Sequence, residues 1–504
     1  MTLVGVDLPR DHKGPLHESL YRQLRELIVS GKVPRGTRLP ATRVLADQLG
    51  CSRPTVILAY EHLESEGYLA SRQGSGTYVA DSLPEDHLPC RPKGKRDRRQ
   101  EGEPPAFLSR RGASLAQIPF LPVESYGTTH TARPFAPAEP DLSLFPFPTW
   151  TALTTRVWRN PSAGFGNTDD PAGFVELREA IANYLGIVRG VRCTPDQVVI
   201  TSGTQHAFDM LARLLLDPGD RVWVEDPTVP HLVQGPLLAA GARPVPVPVD
   251  DQGLVVEMAQ DLAPDARLAI VTPSNHYPLG VTMSAERREQ LLAWASHSGA
   301  WILEDDYDSE FSYQGIAPAT LYSRDADERV ILVGTFSKVL FRGLRLGYMV
   351  LPLKVVPEVL WAKRRIGHWT SILMQPVLAR FMQEGHFYAH IRRALHVYRE
   401  RSNVFHEIVR RELDHLFRAR ERESGISAFL EFTAELAARM TDAQARYCAE
   451  RAGIELRAIS EYFMTKPTRK GLLLGFGAVP VERMKPALSR LGEALSDHRD
   501  VRPH

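Results

Sequence analysis

Residues 331–350 read ILVGTFSKVLFRGLRLGYMV, and this stretch decides how the larger part of the chain folds. The apolar, β-branched run before Gly334 predicts a buried strand. That strand delivers Thr335, Ser337 and Lys338 to its carboxyl end, and Arg345 follows within a second apolar run. Two hydroxyls, an amine and a guanidinium grouped this way suit a phosphorylated aldehyde. The amine condenses with the carbonyl, and the planar guanidinium fork takes the phosphate. A lone lysine after a strand is ordinarily a surface charge, so its neighbours decide the matter.

Upstream, WILEDDYDSEF (301–311) places Asp305 and Tyr307 at the end of another predicted strand. Further upstream, VVITSGTQHAF (198–208) is a strand, a turn of small residues and the start of a helix. Gly203, Thr204 and Gln205 open that helix, where free backbone N–H groups favour a phosphate. An acidic run alone reads as a solvated loop, and a small-residue turn alone is weak. Together the three segments sit at strand carboxyl ends, where open α/β sheets bind ligands. They supply what pyridoxal 5′-phosphate needs: Lys338 for the aldehyde, Asp305 to keep the pyridine nitrogen protonated, and Tyr307 to share the phenolic oxygen. Gly203, Thr204, Gln205, Thr335, Ser337 and Arg345 complete a phosphate cradle.

The surrounding pattern predicts an α/β fold. From about Ala136, short apolar runs such as RVWVED (221–226) and LAIVTPS (268–274) alternate with helical stretches such as AERREQLLAWASHSG (285–299). This is the signature of a mostly parallel sheet with helices on both faces. A smaller C-terminal α+β part carries the strands SAFLEF (427–432) and GLLLGF (471–476). The expected domain spans 134–504.

Residues 12–80 read as a separate helical unit. Leu16, Leu20, Leu24, Leu27 and Ile28 give the first helix an apolar face. A short helix over about 41–49 stops at Gly50, and Ser52 caps a third that runs to about Glu66. YLASRQGSGTYVA (68–80) predicts a small hairpin wing. Two short helices joined at Gly50 can seat the second in a DNA major groove. Leu58, Tyr60 and Leu63 are expected to hold it on the core, and its first turn offers Ser52, Arg53 and Thr55. Arg72 and Gln73 occupy the wing tip, and Arg43 is a further phosphate contact. Between the two units, 81–133 is expected to be a flexible linker. Its stretch PEDHLPCRPKGKRDRRQEGEPP (84–105) is rich in Pro and charge, and KGKRDRR (93–99) reads as a solvated run able to touch phosphates.

Lys and Arg total 61 against 60 for Asp and Glu, so any DNA contact must come from a local basic surface. The four cysteines form no CxxC pair. Neither a metal site nor a disulfide framework is expected. No apolar stretch reaches membrane-spanning length and the start of the chain lacks a leader pattern. A soluble, cytoplasmic protein is expected.

Two resemblances emerge from these segments. Leu39-Pro40, Arg43, Leu45-Ala46, Ser52-Arg53-Pro54-Thr55, Leu63, Glu66-Gly67-Tyr68 and Gly74-Ser75-Gly76 make the region from Pro15 to Val79 resemble the GntR-type winged helix-turn-helix. From about Phe145 onward the chain resembles fold-type I aminotransferases, through LFPFPTW (144–150), ITSGTQHAF (200–208), EDPTVP (225–230), TPSNHYPLG (272–280), EDDYDSEF (304–311) and the opening stretch. The order of parts resembles the MocR/GabR class of regulators. That resemblance implies an aldimine at Lys338, Asp305 on the pyridine nitrogen, Tyr307 on the phenolic oxygen and Arg345 on the phosphate. It also implies a head-to-tail homodimer acting on double-stranded operator DNA. Three departures stand out. Val229 replaces a ring-stacking aromatic, Phe165 replaces a tyrosine, and Asn275, His276 and Tyr277 stand where His, Gln and Phe are common.

Three readings remain open at this level. One is a transcription regulator that senses pyridoxal phosphate, an amine or an amino acid through Lys338. Another is a working aminotransferase with a DNA-binding appendage, and a third is a fold that no longer uses the cofactor. Amino-acid aminotransferases carry an arginine for the substrate carboxylate in the strand written here GLLLGFG, where this chain has Leu472, Leu473 and Leu474. Loss of a bidentate clamp disfavours turnover. Arg457 stands in a neighbouring segment and by itself reads as a surface charge. Sensing is therefore the expectation, and the intact Lys338, Asp305, Tyr307 and Arg345 set argues against loss of the cofactor.

Overall fold

The computed structural model describes residues 15–72, 75–84, 108–118, 133–161, 170–313, 318–419 and 424–496. Gln73, Phe165 and the run 93–99 lie outside them. The chain separates into two compact units, Met1–Glu103 and Pro104–His504.

In the first unit, helices Leu16–Val29, Thr42–Leu49 and Arg53–Ser65 are followed by an antiparallel hairpin, β1 (Leu69–Arg72) and β2 (Gly76–Val79). Leu20, Leu24, Leu27 and Ile28 meet Leu45, Val56, Ala59, Tyr60 and Leu63 in one core. Ser52 caps the third helix by accepting from the Thr55 N–H. The expectation for Leu58 is overturned: it is 48% exposed. Tyr60 and Leu63 set the helical phase, and four residues before them stand Val56 and Ala59, which are buried in its place.

The second unit is built on an eight-stranded sheet. Its strands are β3 (Val198–Thr201), β4 (Arg221–Asp226), β5 (Arg243–Asp250), β6 (Gly253–Leu254), β7 (Leu268–Val271), β8 (Trp301–Asp306), β9 (Val330–Thr335) and β10 (Gly347–Val350), in spatial order β3-β10-β9-β8-β7-β4-β5-β6. Six strands run one way. β10 and β6 oppose them. Side chains alternate between faces. Val198 and Ile200 pack against helices Val175–Arg189 and Gln375–Gln383, while Val199 packs against Thr204–Leu215 on the other side. The reversal into β10 lay hidden in the apolar run GLRLGYMV. The chain turns back at Arg345, whose φ is +51°, and a strand returning by so short a connection pairs antiparallel.

A second, antiparallel sheet holds β11 (Phe417–Ala419), β12 (Ser427–Phe432), β13 (Arg457–Ala458) and β14 (Gly471–Gly475), ordered β11-β12-β14-β13. Helices His386–Glu412 and Val481–Ser496 close its core. The segment 134–138 is laid along this sheet. Glu455 N–H donates to the Pro134 carbonyl, and Gly475 N–H to that of Phe135. A Cβ on Gly475 would stand 1.9 Å from the Ala136 oxygen.

The expected linker also needs correction. Outside its Pro- and charge-rich run, residues Arg110–Gln117 form a helix. Ser109 caps it, and Arg111 donates to the Ala239 carbonyl at 3.2 Å. Arg110, Arg111, Ala113, Leu115, Ala116 and Gln117 are good helix formers, which the composition of the wider stretch concealed. No described helix is long and apolar enough to cross a membrane.

Candidate functional site

The sequence-predicted residues of the large sheet stand at the ends of β3, β9 and β8. After β3, Gly203 takes φ +104°, a conformation that suits glycine, and helix Thr204–Leu215 starts at once. The first N–H groups of a helix have no intrahelical acceptor. Here the Ser202 N–H donates to His206 Nδ1 at 2.9 Å, which ties the turn to its own helix. Burial holds His206 at about 4, so its ring is neutral and free to accept. The sequence reading missed His206. Its signal was an imidazole four residues after Ser202, within reach across one helical turn.

After β9, Thr335 Oγ1 accepts from the Ser337 N–H at 3.2 Å and its hydroxyl lies 3.1 Å from Ser337 Oγ. The Lys338 amine donates to the Ala138 carbonyl at 3.1 Å. Burial, and then the nearby Arg342 cation, push this amine down to about 7. Ala138 is itself fixed, its N–H donating to Ser427 Oγ at 2.7 Å. Arg345 is exposed and takes a left-handed backbone. No hydrogen bond or ion pair engages its guanidinium among the described residues. It shares a cleft of about 630 Å³ with Gln205, His206, Asp209 and His231, and Leu115, Ala116 and Ile118 form its outer wall.

At the end of β8, Asp305 is buried and its Oδ1 has no hydrogen-bond partner among the described residues. Burial, then the Asp306 and Asp308 charges, raise it to about 8. Buried acceptors are ordinarily satisfied, so this carboxyl is poised for a donor. The Tyr307 hydroxyl donates to the Asn275 carbonyl at 2.9 Å. The Asn275 amide donates to both Asp308 oxygens at 2.9 Å. Behind β8 and β4, His276 is buried with Nε2 3.7 Å from Glu225. Val229 and Tyr277 border an apolar cluster with Leu279, Phe429, Tyr462 and Leu473. Tyr277 stands edge-on to Tyr307, ring centroids 6.0 Å apart.

The surface-charge reading of Arg457 is overturned. It lies on β13, is 5% exposed and pairs with Leu473 of β14. No hydrogen bond or ion pair engages it among the described residues. Directly paired residues share a sheet face, and Leu473 belongs to the apolar cluster that includes Tyr277 and Val229.

In the first unit, Arg43 and Arg53 are exposed. The hydroxyls of Ser52 and Thr55 lie 2.7 Å apart and bond to each other. Arg72 lies over the Tyr78 ring, 4.9 Å from its centroid, and 3.8 Å from the Asp81 carboxylate. Among the described residues no group of three or more His, Cys, Asp or Glu is placed to hold a metal ion.

A winged helix-turn-helix and an aminotransferase-type sheet with a lysine, a carboxyl and an arginine-lined cleft on one chain define a class of bacterial regulators. The GntR family of bacterial regulatory proteins matches residues 16–79, and the class I and II aminotransferases match 141–480. The chain belongs to the MocR type of GntR-family regulators, which joins these two parts. It is 38% identical to the probable rhizopine catabolism regulatory protein MocR of Rhizobium meliloti, over 97% of this chain and 95% of that one. It is 36% identical to the transcriptional regulator TauR of Rhodobacter capsulatus, over 78% and 79%. Among solved structures it is similar to LysN, an α-aminoadipate aminotransferase from Thermus thermophilus complexed with N-(5′-phosphopyridoxyl)-L-leucine. That likeness has a TM-score of 0.64 and 25% identity, over 72% of this chain and 91% of that one. The cofactor is pyridoxal 5′-phosphate, and the residues present fit it. Asp305 Oδ1 lacks the donor that a pyridinium N–H provides, and Arg345 lacks the anion that a phosphate provides.

Proposed function

We propose that this protein is a cytoplasmic, homodimeric transcription regulator that senses pyridoxal phosphate, or an amine presented to it, and alters its hold on double-stranded operator DNA. The observation that carries the reading is the unpartnered Oδ1 of buried Asp305, on the strand next to the one that delivers Lys338. When bound, the cofactor supplies an aldehyde that amines reversibly capture. Lys338 provides the resident amine, about half neutral near pH 7 because of its burial. Asp305, raised to about 8, brings a proton that the pyridine nitrogen can share. Gly203, Thr204, Gln205, Thr335, Ser337 and Arg345 receive the phosphate, and Tyr307 turns its hydroxyl to the phenolic oxygen. In the first unit, Arg53 and the Ser52–Thr55 turn enter the major groove, with Arg43, Arg72 and Gln73 on the flanking phosphates.

Two observations refine this. Leu473 offers no charge for a substrate carboxylate, which favours sensing over turnover. The buried, unpaired Arg457 beside it supports an effector that bears a carboxylate as well as an amine. A ligand changes the state of such a protein only through unequal affinity for two arrangements. The test is DNA binding to the region upstream of the protein's own gene, with and without pyridoxal phosphate and candidate amino acids. A shift in affinity on adding either supports sensing. Amino-group transfer to a keto acid without any change in DNA binding would favour the enzyme instead.

A further inference from the structure

The first two turns of the helix Arg53–Ser65 expose apolar side chains, Pro54 and Leu58, and this is where the exposure of Leu58 matters. Val56, Ala59, Tyr60 and Leu63 are buried, so the opposite face presents Pro54, Leu58, Glu61, His62 and Ser65, flanked by half-buried Ile57. The polar groups of the first turn are largely committed elsewhere. Ser52 and Thr55 bond to each other at 2.7 Å, and Ser52 also caps the helix. That leaves Arg53 as the hydrogen-bonding side chain of the first turn. Beyond the second turn the exposed face is polar, with Glu61, His62 and Ser65, while Glu64 accepts from the Ser71 N–H of the wing. The apolar side chains open to a base contact, beside Arg53 and the Ser52–Thr55 turn, are thus Pro54, Ile57 and Leu58.

In the major groove one base presents an apolar group at its edge, the 5-methyl of thymine. We propose that Leu58, supported by Ile57, reads a thymine methyl group, so that this regulator selects its operator by one guanidinium contact and an apolar contact next to it. The inference rests on the DNA-binding reading above and adds the chemistry of recognition. An exposed leucine in the second turn, one turn after exposed Pro54 on the same face, is placed to enter the groove behind the first turn. The alternative use of Leu58, as a dry contact with protein, has no reason to respond to a methyl group on DNA.

The experiment uses the full-length protein and duplexes enriched from a random-sequence library by its own binding. In the enriched duplex each thymine is replaced singly by uracil, which removes only the methyl. The expected result is one position per half-site at which affinity falls about four-fold. That loss disappears in the Ile57→Ala/Leu58→Ala double variant, which still binds unrelated duplex as the parent does. Both side chains lie outside the buried core, so the variant should keep its fold, checked by an unchanged melting temperature. An enriched sequence with no uracil-sensitive position overturns the inference and leaves the regulator reading intact. A uracil effect retained in full by the double variant also overturns it. Failure to enrich any sequence overturns both.

Discussion

The side-chain amine of Lys338 donates to the carbonyl oxygen of Ala138 at 3.1 Å. The bond parks the amine at the strand end, on a backbone segment that Ser427 holds in turn. Attachment of the cofactor must break it. Condensation requires the neutral amine, and burial lowers its pKa to about 7. The rate of pyridoxal phosphate uptake by cofactor-free protein is expected to rise with pH, reach half its plateau near pH 7, and level off in the alkaline range. A rate still climbing toward the ordinary lysine value of 10.5 would contradict this environment. Lys338→Ala should abolish the borohydride-reducible adduct, measured by mass, and leave DNA binding by the first unit detectable.

Asp305 trades stability for binding. Its folded pKa is raised, so the folded cofactor-free protein keeps a proton that the unfolded chain has already released. Stability therefore falls as pH rises from the ordinary carboxyl range through about 8. Asp305→Asn removes that penalty. The variant without cofactor is expected to be about 1–2 kcal/mol more stable at the upper end of this window, and to bind pyridoxal phosphate more weakly. Thermal unfolding across pH and a cofactor titration check both halves.

Arg457→Gln is expected to weaken the response to carboxylate-bearing amines about ten- to a hundred-fold, the worth of a charge-assisted hydrogen bond. The response to an amine of similar size without a carboxylate should be unchanged. Equal loss for both would make Arg457 a packing residue.

Arg53→Ala should lower affinity for an enriched operator duplex by about ten-fold or more, with cofactor absorbance unaltered. An unchanged dissociation constant would remove Arg53 from the interface.

Much of this was legible in the chain because the chemistry is local. Lys338 follows its strand by three residues, and Asp305 lies within its own. A continuous apolar run with a polar residue at its carboxyl end announces such positions. What escaped the reading depended on partners distant in sequence. Arg457 is buried because β13 pairs with β14, and two residues of strand carry no recognisable pattern. Leu58 read as core because an apolar side chain announces its chemistry and not its helical phase, which Tyr60 and Leu63 decide. The helix Arg110–Gln117 was masked by the composition of its neighbours. β10 looked like any apolar run until the turn at Arg345 gave it a direction.

Gly475 lies on the small sheet, far along the chain from every cofactor residue, yet its missing side chain governs them. The oxygen of Ala136 occupies the space a methyl group would need, and Ala136 belongs to the same short segment as the carbonyl that receives the Lys338 amine. One carbon atom added there would lift that segment and unseat the lysine's resting place without altering a single cofactor contact. Variants that silence this regulator can therefore arise far from the residues that do its chemistry, at a position where only hydrogen fits.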